Sequence, residues 1–243
     1  MPFFDRDGAR IYYEEKGEGF PLLTIAPGGM KSTVASWANA AVDPWESYAG
    51  DFRMVAMDQR NAGQSTGPFD LEDPWGAYAA DQLGLLDHLG IDRFLVMGCC
   101  IGGSFILELI EVAPERVVAA VLEQPIGVID ANRDLFEQMQ KSWAGEVIGR
   151  RDGIDAQTVD RFLTEMWAGE FVVSVDRTMI SKCPVPLLVM PGIDDYHPTE
   201  TGREIVALAP DARVLEPWKD TPEHIAAATE QVRRFLVEHA AAG

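Results

Sequence analysis

The sequence has few cysteines and no long apolar segment. Only three cysteines occur among 243 residues, and Cys99 and Cys100 are adjacent, where a disulfide between them would be badly strained. We therefore expect reduced thiols, as is usual in the cytosol. No segment approaches the roughly 18 apolar residues that a membrane helix needs, and residues 1–6 lack the basic and apolar regions of a signal peptide. The sequence thus predicts a cytoplasmic protein without a membrane partner.

Basic residues are also scarce. Lys and Arg together number 20 against 39 Asp and Glu, which gives a formal net charge of −19. Nucleic acids and anionic membrane surfaces are recognised by clustered basic side chains. We therefore expect neither of them as a partner.

Short apolar runs alternate with helical patterns along most of the chain. Nearly continuous apolar runs are typical of parallel strands buried on both faces, and five occur, at residues 21–26, 53–58, 94–97, 117–122 and 186–190. A further strand at 10–15 mixes strand formers with charged residues, which favours an antiparallel position near an edge. Helical patterns cover 75–89 and 102–113. This order predicts an α/β fold with an open, mostly parallel sheet.

Residues 129–182 interrupt the alternation. They contain helical patterns at 134–143 and 156–167 but no convincing parallel strand. We interpret them as a small helical cap inserted between two strands of a single domain that spans residues 1–243. The alternative is an extra pair of helices on the side of the sheet, which would leave the pocket open. Four large side chains of this region either line the substrate pocket or pack internally: Met139, Trp143, Met166 and Trp167.

The main chemical signal directly follows the strand at 94–97. Residues 98–103 read Gly-Cys-Cys-Ile-Gly-Gly and lead into a helical pattern. Small residues two positions either side of Cys100 suit a nucleophile elbow, whose central side chain sits on a strained strand-to-helix turn. A helix N-terminus would also favour the thiolate form of Cys100. The alternative is a glycine-rich turn around a structural cysteine, the role that we assign to Cys99 and Cys183.

With this elbow, the chain resembles the α/β-hydrolase family over nearly all of its length. Residues 28–29, Gly-Gly, are similar to the oxyanion turn of the family, and residues 58–65 resemble its Asp-x-Arg-Gly-x-Gly-x-Ser turn. Residues 186–198 match its penultimate strand and acid loop. The departures are Pro27, where a His is common, and Asn61, which replaces a Gly. The resemblance implies an α/β-hydrolase fold with about eight strands, flanking helices and a small helical cap.

The resemblance also implies a role for each matching residue. Cys100 would be the nucleophile, as in enzymes similar to dienelactone hydrolase. The backbone N–H groups of Gly29 and Ile101 would form the oxyanion hole. Asp195 occupies the usual position of the acid, and Asp194 is its rival.

The general base is harder to place. His224 satisfies the chain order of nucleophile, acid and histidine that this fold requires. It comes about one helical turn after the usual histidine position, which falls near Lys219 or Asp220. Residues 221–223, Thr-Pro-Glu, predict the N-cap and the first two residues of a helix, so that His224 is the third. The alternative is a surface histidine in the first turn.

Two further side chains are accessory candidates. His197 follows the acid so closely that we interpret it mainly as part of a His-Pro helix start. Glu123, at the end of the strand beside the elbow, either contacts the thiol or stands in as a base; the alternative is a buried structural carboxylate. Of the remaining histidines, His88 lies inside the helix at 75–89 and His239 lies in the C-terminal tail.

The sequence therefore predicts a hydrolase that attacks an ester, thioester or lactone carbonyl through a Cys-His-Asp triad. Two alternatives stay open because this fold hosts many chemistries. One is a non-hydrolytic enzyme, such as a lyase, cyclase or acyltransferase, and the other is a ligand-binding protein with an incomplete triad. We expect a small-molecule substrate that is neutral and largely apolar, and no cofactor or metal. The sequence leaves open whether the chain forms a homodimer.

Overall fold

A mostly parallel sheet of eight strands organises the part of the chain that this computed structural model describes, residues 2–150 and 154–241. The strands are β1 Phe3–Arg6, β2 Ala9–Lys16, β3 Phe20–Ile25, β4 Phe52–Met57, β5 Phe94–Cys99, β6 Val117–Glu123, β7 Leu187–Met190 and β8 Ala212–Val214. Their order across the sheet is β1-β2-β4-β3-β5-β6-β7-β8. The pairs β1–β2 and β2–β4 are antiparallel, and the pairs from β4 to β8 are parallel. The predicted fold class is confirmed.

Burial explains why the central strands could be recognised. Every residue of β5 is buried, and so are all residues of β6 except one. A strand covered on both faces selects apolar side chains at every position, which produces a continuous run. In contrast, β2 alternates buried with exposed positions along its first half. The edge strand β1, which the sequence did not predict, has no fully buried residue.

Helices cover both faces of the sheet. They are α1 Pro44–Ser47, α2 Pro74–His88, α3 Ile101–Val112, α4 Arg133–Arg150, α5 Ala156–Met166, α6 Arg177–Ser181, α7 Thr199–Leu208 and α8 Pro222–Ala240. The helices predicted at 75–89 and 102–113 are α2 and α3. The helix predicted at 134–143 is α4, which continues to residue 150. None of the helices described is long and apolar enough to cross a membrane.

Alternate side chains of the strands feed two apolar cores. Leu22 of β3 packs with Phe235 and Leu236 of α8 on one face of the sheet. Its neighbour Leu23 packs on the opposite face with side chains of α2 and α3, such as Phe105. This alternation follows from the two-residue period of a strand. The sheet is therefore the middle layer between α8 on one side and α2 with α3 on the other.

The parallel strands place their carboxyl ends at one edge of the sheet. The segments that leave this edge are residues 26–33 after β3, residues 58–65 after β4, the turn at 99–101 after β5, residues 124–128 after β6, residues 191–198 after β7 and residues 215–221 after β8. Ligands of open α/β sheets bind at this edge. All of the catalytic candidates predicted from the sequence lie on these segments or next to them.

Candidate active site

Cys100 stands on a sharp turn between β5 and α3. Its backbone angles are φ 61° and ψ −120°, a region that side-chain-bearing residues rarely occupy. The strand ends at Cys99 and the helix begins at Ile101. Backbone strain of this kind persists only where the surrounding structure holds it in place, and it is found mainly at functional sites. The strand, turn and helix have the arrangement of a nucleophile elbow.

Two glycines make this turn possible. A Cβ atom on Gly102 would lie 2.4 Å from the carbonyl oxygen of Ile25 in β3, so α3 can approach the sheet only with glycine at this position. A Cβ atom on Gly98 would lie 2.7 Å from the backbone of Gly102. Small residues two positions either side of Cys100 are therefore a steric requirement.

The thiol of Cys100 lies among backbone N–H groups. Burial raises the pKa of this thiol, while hydrogen bonding from the N–H groups of Ile101, Gly28 and Gly29 lowers it and the charge of Asp194 raises it further. The net direction is upward, so the resting form near neutral pH is the thiol. The sequence-based expectation that the helix N-terminus would favour the thiolate considered the amides but not the burial that outweighs them.

The oxyanion turn after β3 brings two of these amides to the sulfur. Gly28 has φ 127° and Gly29 has φ 56°, both in the region that favours glycine. The turn is held from below, because the Ser32 hydroxyl donates to the carbonyl of Ala26 at 2.7 Å. Of the three amides around the sulfur, Gly29 and Ile101 are the two that the sequence predicted. Gly28 was not predicted, and its contribution depends on a backbone conformation that the motif alone does not reveal.

The turn at residues 58–65 supports the oxyanion turn. The Asp58 carboxylate accepts hydrogen bonds from the N–H of Val34 at 2.9 Å and of Gln64 at 2.8 Å. Asn61 replaces the glycine of the family pattern and adopts φ 64°, a conformation that Asn tolerates better than most residues. Arg60 forms a bidentate ion pair with the fully buried Asp81 of α2, with two distances of 2.7 Å. This substitution of Asn for Gly therefore leaves the turn intact.

On the acid loop, it is Asp194 that contacts a histidine. Its Oδ1 accepts from the N–H groups of Tyr196 and His197, each at 3.1 Å, and lies 2.6 Å from Nδ1 of His197. Asp195 is exposed, and its carbonyl oxygen accepts from Nδ2 of the buried Asn132 at 2.7 Å. Asn132 also donates to the carbonyl of Gly127, which ties the acid loop to the segment after β6.

His197 on the acid loop and His224 in the first turn of α8 have different surroundings. His197 is buried, and burial lowers its pKa although Asp194 opposes that shift. Its Nε2 has no hydrogen-bond partner among the described residues. His224 is the third residue of α8, as predicted, because Thr221 caps the helix by accepting from the His224 N–H at 3.2 Å.

The side chain of His224 turns toward Asp220. Its Nδ1 lies 3.5 Å from Asp220 Oδ2, and the side chain is 40% exposed. The contacts of the described residues thus pair His224 with Asp220 and His197 with Asp194. The pairing of His224 with Asp195 stays a prediction, as does the role of each residue.

Behind the elbow lies a carboxyl group that is shielded from solvent. Glu123 ends β6, its carbonyl accepts from the Cys100 N–H at 3.0 Å, and its side chain accepts weakly from the Val42 N–H at 3.4 Å. Burial raises the pKa of Glu123 to about 8, although the Val42 N–H and the Lys219 ammonium lower it. Near neutral pH it therefore holds its proton, which suits a structural group better than a base.

Lys219 occupies the region where the family places its histidine. Its Nζ donates to Oε1 of Gln124 and lies 3.8 Å from Asp194 Oδ2. Only 17% of the side chain is exposed. The sequence marked this position as departing from the family pattern but gave no reason to expect a largely shielded lysine that reaches the acid loop.

Helix α4 covers the oxyanion side of the site. The sulfur of Met139 would lie 3.2 Å from a Cβ atom on Gly29, and Lys31 forms an ion pair of 2.5 Å with Glu146. The region predicted as a cap thus contains α4, α5 and α6 and contacts the elbow's oxyanion turn. Met139 is the residue of this region that a Cβ atom on Gly29 would meet.

The other predicted cap residues divide between packing and cavity lining. Trp167 stacks on Phe136, with ring centroids 5.2 Å apart, and both line a cavity of about 460 Å³ between α4 and α5. Trp143 is buried against Phe162 but also borders a cavity of about 410 Å³ beside Lys31 and Ser65. Met166 is fully buried. Within the described ranges, no group of three or more His, Cys, Asp or Glu side chains could hold a metal ion.

The geometry of this edge agrees with a comparison of the sequence against known families. A profile described as the alpha/beta hydrolase fold matches residues 21–179. The chain belongs to this family. The match includes the elbow and the oxyanion turn but ends before the acid loop and α8, the segments on which the predicted acid and base lie.

Individual proteins match this chain over shorter segments or at low sequence identity. The chain is 32% identical over 120 residues to a protein named putative carbamate hydrolase RutD from Azorhizobium caulinodans, a match that covers 48% of this chain and 42% of that protein. The chain thus matches less than half of that relative's length. Two solved structures share the fold across nearly the whole chain. A hydrolase from Pseudomonas aeruginosa has a TM-score of 0.71 and 20% identity over 97% of each chain. An enol-lactonase from Burkholderia xenovorans has a TM-score of 0.68 and 20% identity over 97% of this chain and all of that one.

Proposed function

We propose that this protein is a hydrolase of carboxylic esters, thioesters or lactones that forms a thioacyl intermediate on Cys100. The observation that carries the proposal is the elbow itself, where the Cys100 sulfur meets the N–H groups of Ile101, Gly28 and Gly29. A nucleophile beside converging amides is suited to attack on a carbonyl carbon, since the amides stabilise the oxyanion that develops. Family membership and the lactonase and carbamate hydrolase among the similar proteins support the same reaction class.

In the proposed reaction, the sulfur forms a bond to the carbonyl carbon and the carbonyl oxygen takes the negative charge. The N–H groups of Gly29 and Ile101 donate to this oxygen, and each such donor contributes about 3–4 kcal/mol to lowering the barrier. Collapse of the intermediate breaks the bond to the leaving oxygen or sulfur, which takes up the proton that the base removed from the thiol, and leaves the acyl group on Cys100. Water then attacks the thioester and releases the acid.

This reaction needs a proton acceptor, because burial keeps Cys100 in its thiol form near neutral pH. We propose His224 as the base and Asp195 as the acid, on the ground of chain order. In that role the imidazole would exchange its contact with Asp220 for one with Asp195 when substrate is bound. The competing pair is His197 with Asp194, whose nitrogen and oxygen are 2.6 Å apart.

Two histidine variants test this assignment. His224→Ala should lower the turnover number by about 10²–10⁴-fold, the usual contribution of general-base catalysis, while the protein stays folded. His197→Ala should act mainly by lowering stability, which urea unfolding measures. Activity of the His224→Ala protein within about threefold of the wild type, together with a large loss in a folded His197→Ala protein, would move the base to His197.

We expect a small, neutral and largely apolar substrate, because Met139 of α4 brings apolar surface to Gly29 in the oxyanion turn. The cavity between α4 and α5 has a volume of about 460 Å³, in the usual range for ligand pockets. Its lining is mixed, since Val128, Phe136, Leu163 and Trp167 are apolar and Arg133, Glu137, Lys141 and Asp160 are charged. The apolar character of the proposed substrate therefore rests on the surface beside the oxyanion turn.

A panel of chromogenic short-chain esters, thioesters and lactones tests the function, with and without prior treatment by iodoacetamide. The proposal predicts turnover that is lost after alkylation and in Cys100→Ala, but kept in the matched variant Cys183→Ala. Turnover that persists after alkylation and in Cys100→Ala would contradict the proposal.

A second candidate is a non-hydrolytic acyltransferase of the same fold. It is favoured by Lys219, a lysine in the region where the family carries the histidine that activates water. Acylation of Cys100 without release of acid, followed by release when an alcohol or thiol acceptor is added, would favour this alternative.

A further inference from the structure

The position of Lys219 is fixed by the residue before it. Trp218 is buried, and its indole Nε1 donates to the carbonyl of Pro191 at 2.7 Å. This bond joins the segment after β8 to the start of the acid loop after β7. Lys219 therefore starts from an anchored backbone, and its Nζ lies 5.2 Å from the ring of Trp218.

From this anchor the side chain crosses to two other strand ends. Its Nζ donates to the Gln124 amide oxygen at the end of β6 and approaches Asp194 on the acid loop at 3.8 Å. The other atom of the same amide, Nε2 of Gln124, lies 3.7 Å from the sulfur of Cys99, which precedes the nucleophile. One largely shielded ammonium group, on a side chain that is 17% exposed, thus links the segments that follow β6, β7 and β8 around the elbow.

Lysine side chains are mostly exposed, and the charges around Lys219 explain why its side chain is largely shielded from solvent. The Asp194 carboxylate raises the pKa of the Cys100 thiol, after the larger effect of burial. Lys219 opposes negative charge here, since it lowers the pKa of the buried Glu123 and of the Cys99 thiol.

Other titratable groups lie around Lys219 and Asp194. His197 pairs with Asp194 from the acid loop. Further ionisable side chains border the cavity of about 550 Å³ that Lys219 lines, and these are Glu200, Arg203, Glu216 and Asp220. Arg203 and Glu216 pair with each other at 3.3 Å. Lys219 contacts Asp194 from the segment after β8, and the Asp194 side chain is 48% exposed.

We propose that Lys219 is a positioning residue for the nucleophile: it holds Asp194 and Gln124 in place and neutralises Asp194, and it thereby controls how readily Cys100 ionises. This inference rests on the proposed function, because it takes Cys100 as the nucleophile. Without Lys219, Asp194 would keep its contact with His197, but its charge would act more strongly on the sulfur and disfavour the thiolate. Lys219 thus favours formation of the Cys100 thiolate through its charge, whereas a histidine base favours it by accepting the proton.

The rate of alkylation of Cys100 by iodoacetamide, measured against pH, tests the proposal without any substrate. Only the thiolate reacts, and below the thiol pKa its fraction changes tenfold for each unit of pKa. Lys219→Met should lower the alkylation rate by about threefold to tenfold between about pH 7 and pH 9, since a neighbouring charge shifts a pKa by about a unit or less at this remove. The rate at high pH, where the thiol is fully ionised, should be unchanged. Peptide sequencing by mass spectrometry separates Cys100 from Cys99.

Three further variants make the result specific. Lys219→Arg keeps the charge and should restore most of the rate. Lys182→Met removes one charge from an exposed lysine at the end of α6 and should have no effect. Asp194→Asn should raise the alkylation rate of Cys100 at pH values below the thiol pKa. In the Asp194→Asn protein, adding Lys219→Met should lower the logarithm of this rate by less than half as much as it does in the wild type.

Several outcomes would overturn the proposal. One is a pH profile of Lys219→Met that matches the wild type, and another is an Lys219→Arg protein as slow as Lys219→Met. If Lys219→Met does not fold, the test passes to Asp194→Asn, whose alkylation rate must then exceed that of the wild type for the proposal to stand. Failure of the hydrolase assignment has a different signature, because it leaves these alkylation profiles intact while esters and lactones are not turned over.

Discussion

Replacing Gly102 by Ala tests the close contact on which the elbow depends. The added Cβ atom would lie 2.4 Å from the carbonyl oxygen of Ile25, well inside normal van der Waals contact, so α3 must move away from β3. Overpacking of this kind typically costs about 1–3 kcal/mol. The gain in helix propensity from Gly to Ala returns at most about 1 kcal/mol.

We therefore expect Gly102→Ala to lower the free energy of unfolding by about 1–2 kcal/mol. For a domain of this size, that corresponds to a fall in Tm of about 2–8 °C. Urea denaturation followed by circular dichroism measures the change. Because the movement displaces the N–H of Ile101, the variant should also be alkylated at Cys100 at a rate different from that of the wild type.

A matched control is available on the cap. Gly145 lies inside α4 and is exposed, and a Cβ atom there would meet nothing within 4 Å. Gly145→Ala should leave stability unchanged or raise it by about 0.5–1 kcal/mol. If Gly102→Ala unfolds at the same urea concentration as Gly145→Ala, the steric account of the elbow is wrong.

Three other predictions concern the interior of the protein. Arg60→Met should lower the free energy of unfolding by about 3–5 kcal/mol, because it leaves the fully buried Asp81 carboxylate without its partner; a loss below about 1 kcal/mol in urea unfolding would refute this. Folded Glu123 holds its proton up to about pH 8 whereas its ordinary pKa is 4.5, so the folded state binds more protons between these values and its stability falls as pH rises through this window. Glu123→Gln should therefore flatten the decline in unfolding free energy with pH by up to about 1.4 kcal/mol per pH unit, and an unchanged slope would contradict the burial argument. Limiting iodoacetamide should label Cys100 before Cys183, since the latter is buried, and mass spectrometry showing the reverse order would count against the elbow thiol as the reactive one.

Most strands of the sheet could be predicted from the sequence, because burial on both faces produces a continuous apolar run. Strands such as β5 and β6 are covered on both faces, so nearly every residue is apolar and the run stands out. The strand β1 was missed because its four residues are held mainly by pairing with β2 at the edge and need no continuous apolar run. The full length of α4 was also missed, since its helical pattern weakens after Trp143.

The elbow could be predicted from residue sizes, whereas the arrangement of charges could not. Glycine at 98 and 102 is a steric requirement that is visible in the sequence. Which of Asp194 and Asp195 turns toward a histidine depends on the hydrogen bonds that Asp194 accepts within its own loop. Spacing from the preceding strand does not encode that choice. The reach of Lys219 to Asp194 likewise depends on how three segments come together at the edge of the sheet.

The most direct test of the central claim is the mass of the protein during turnover. A rapidly quenched reaction with an activated short-chain ester or lactone should show a fraction of the protein heavier by one acyl group, and peptide sequencing should locate that group on Cys100. The adduct should be absent from Cys100→Ala and should disappear as substrate is consumed. Turnover without any acyl adduct on Cys100, or an adduct on another residue that forms and decays at the rate of turnover, would contradict the account.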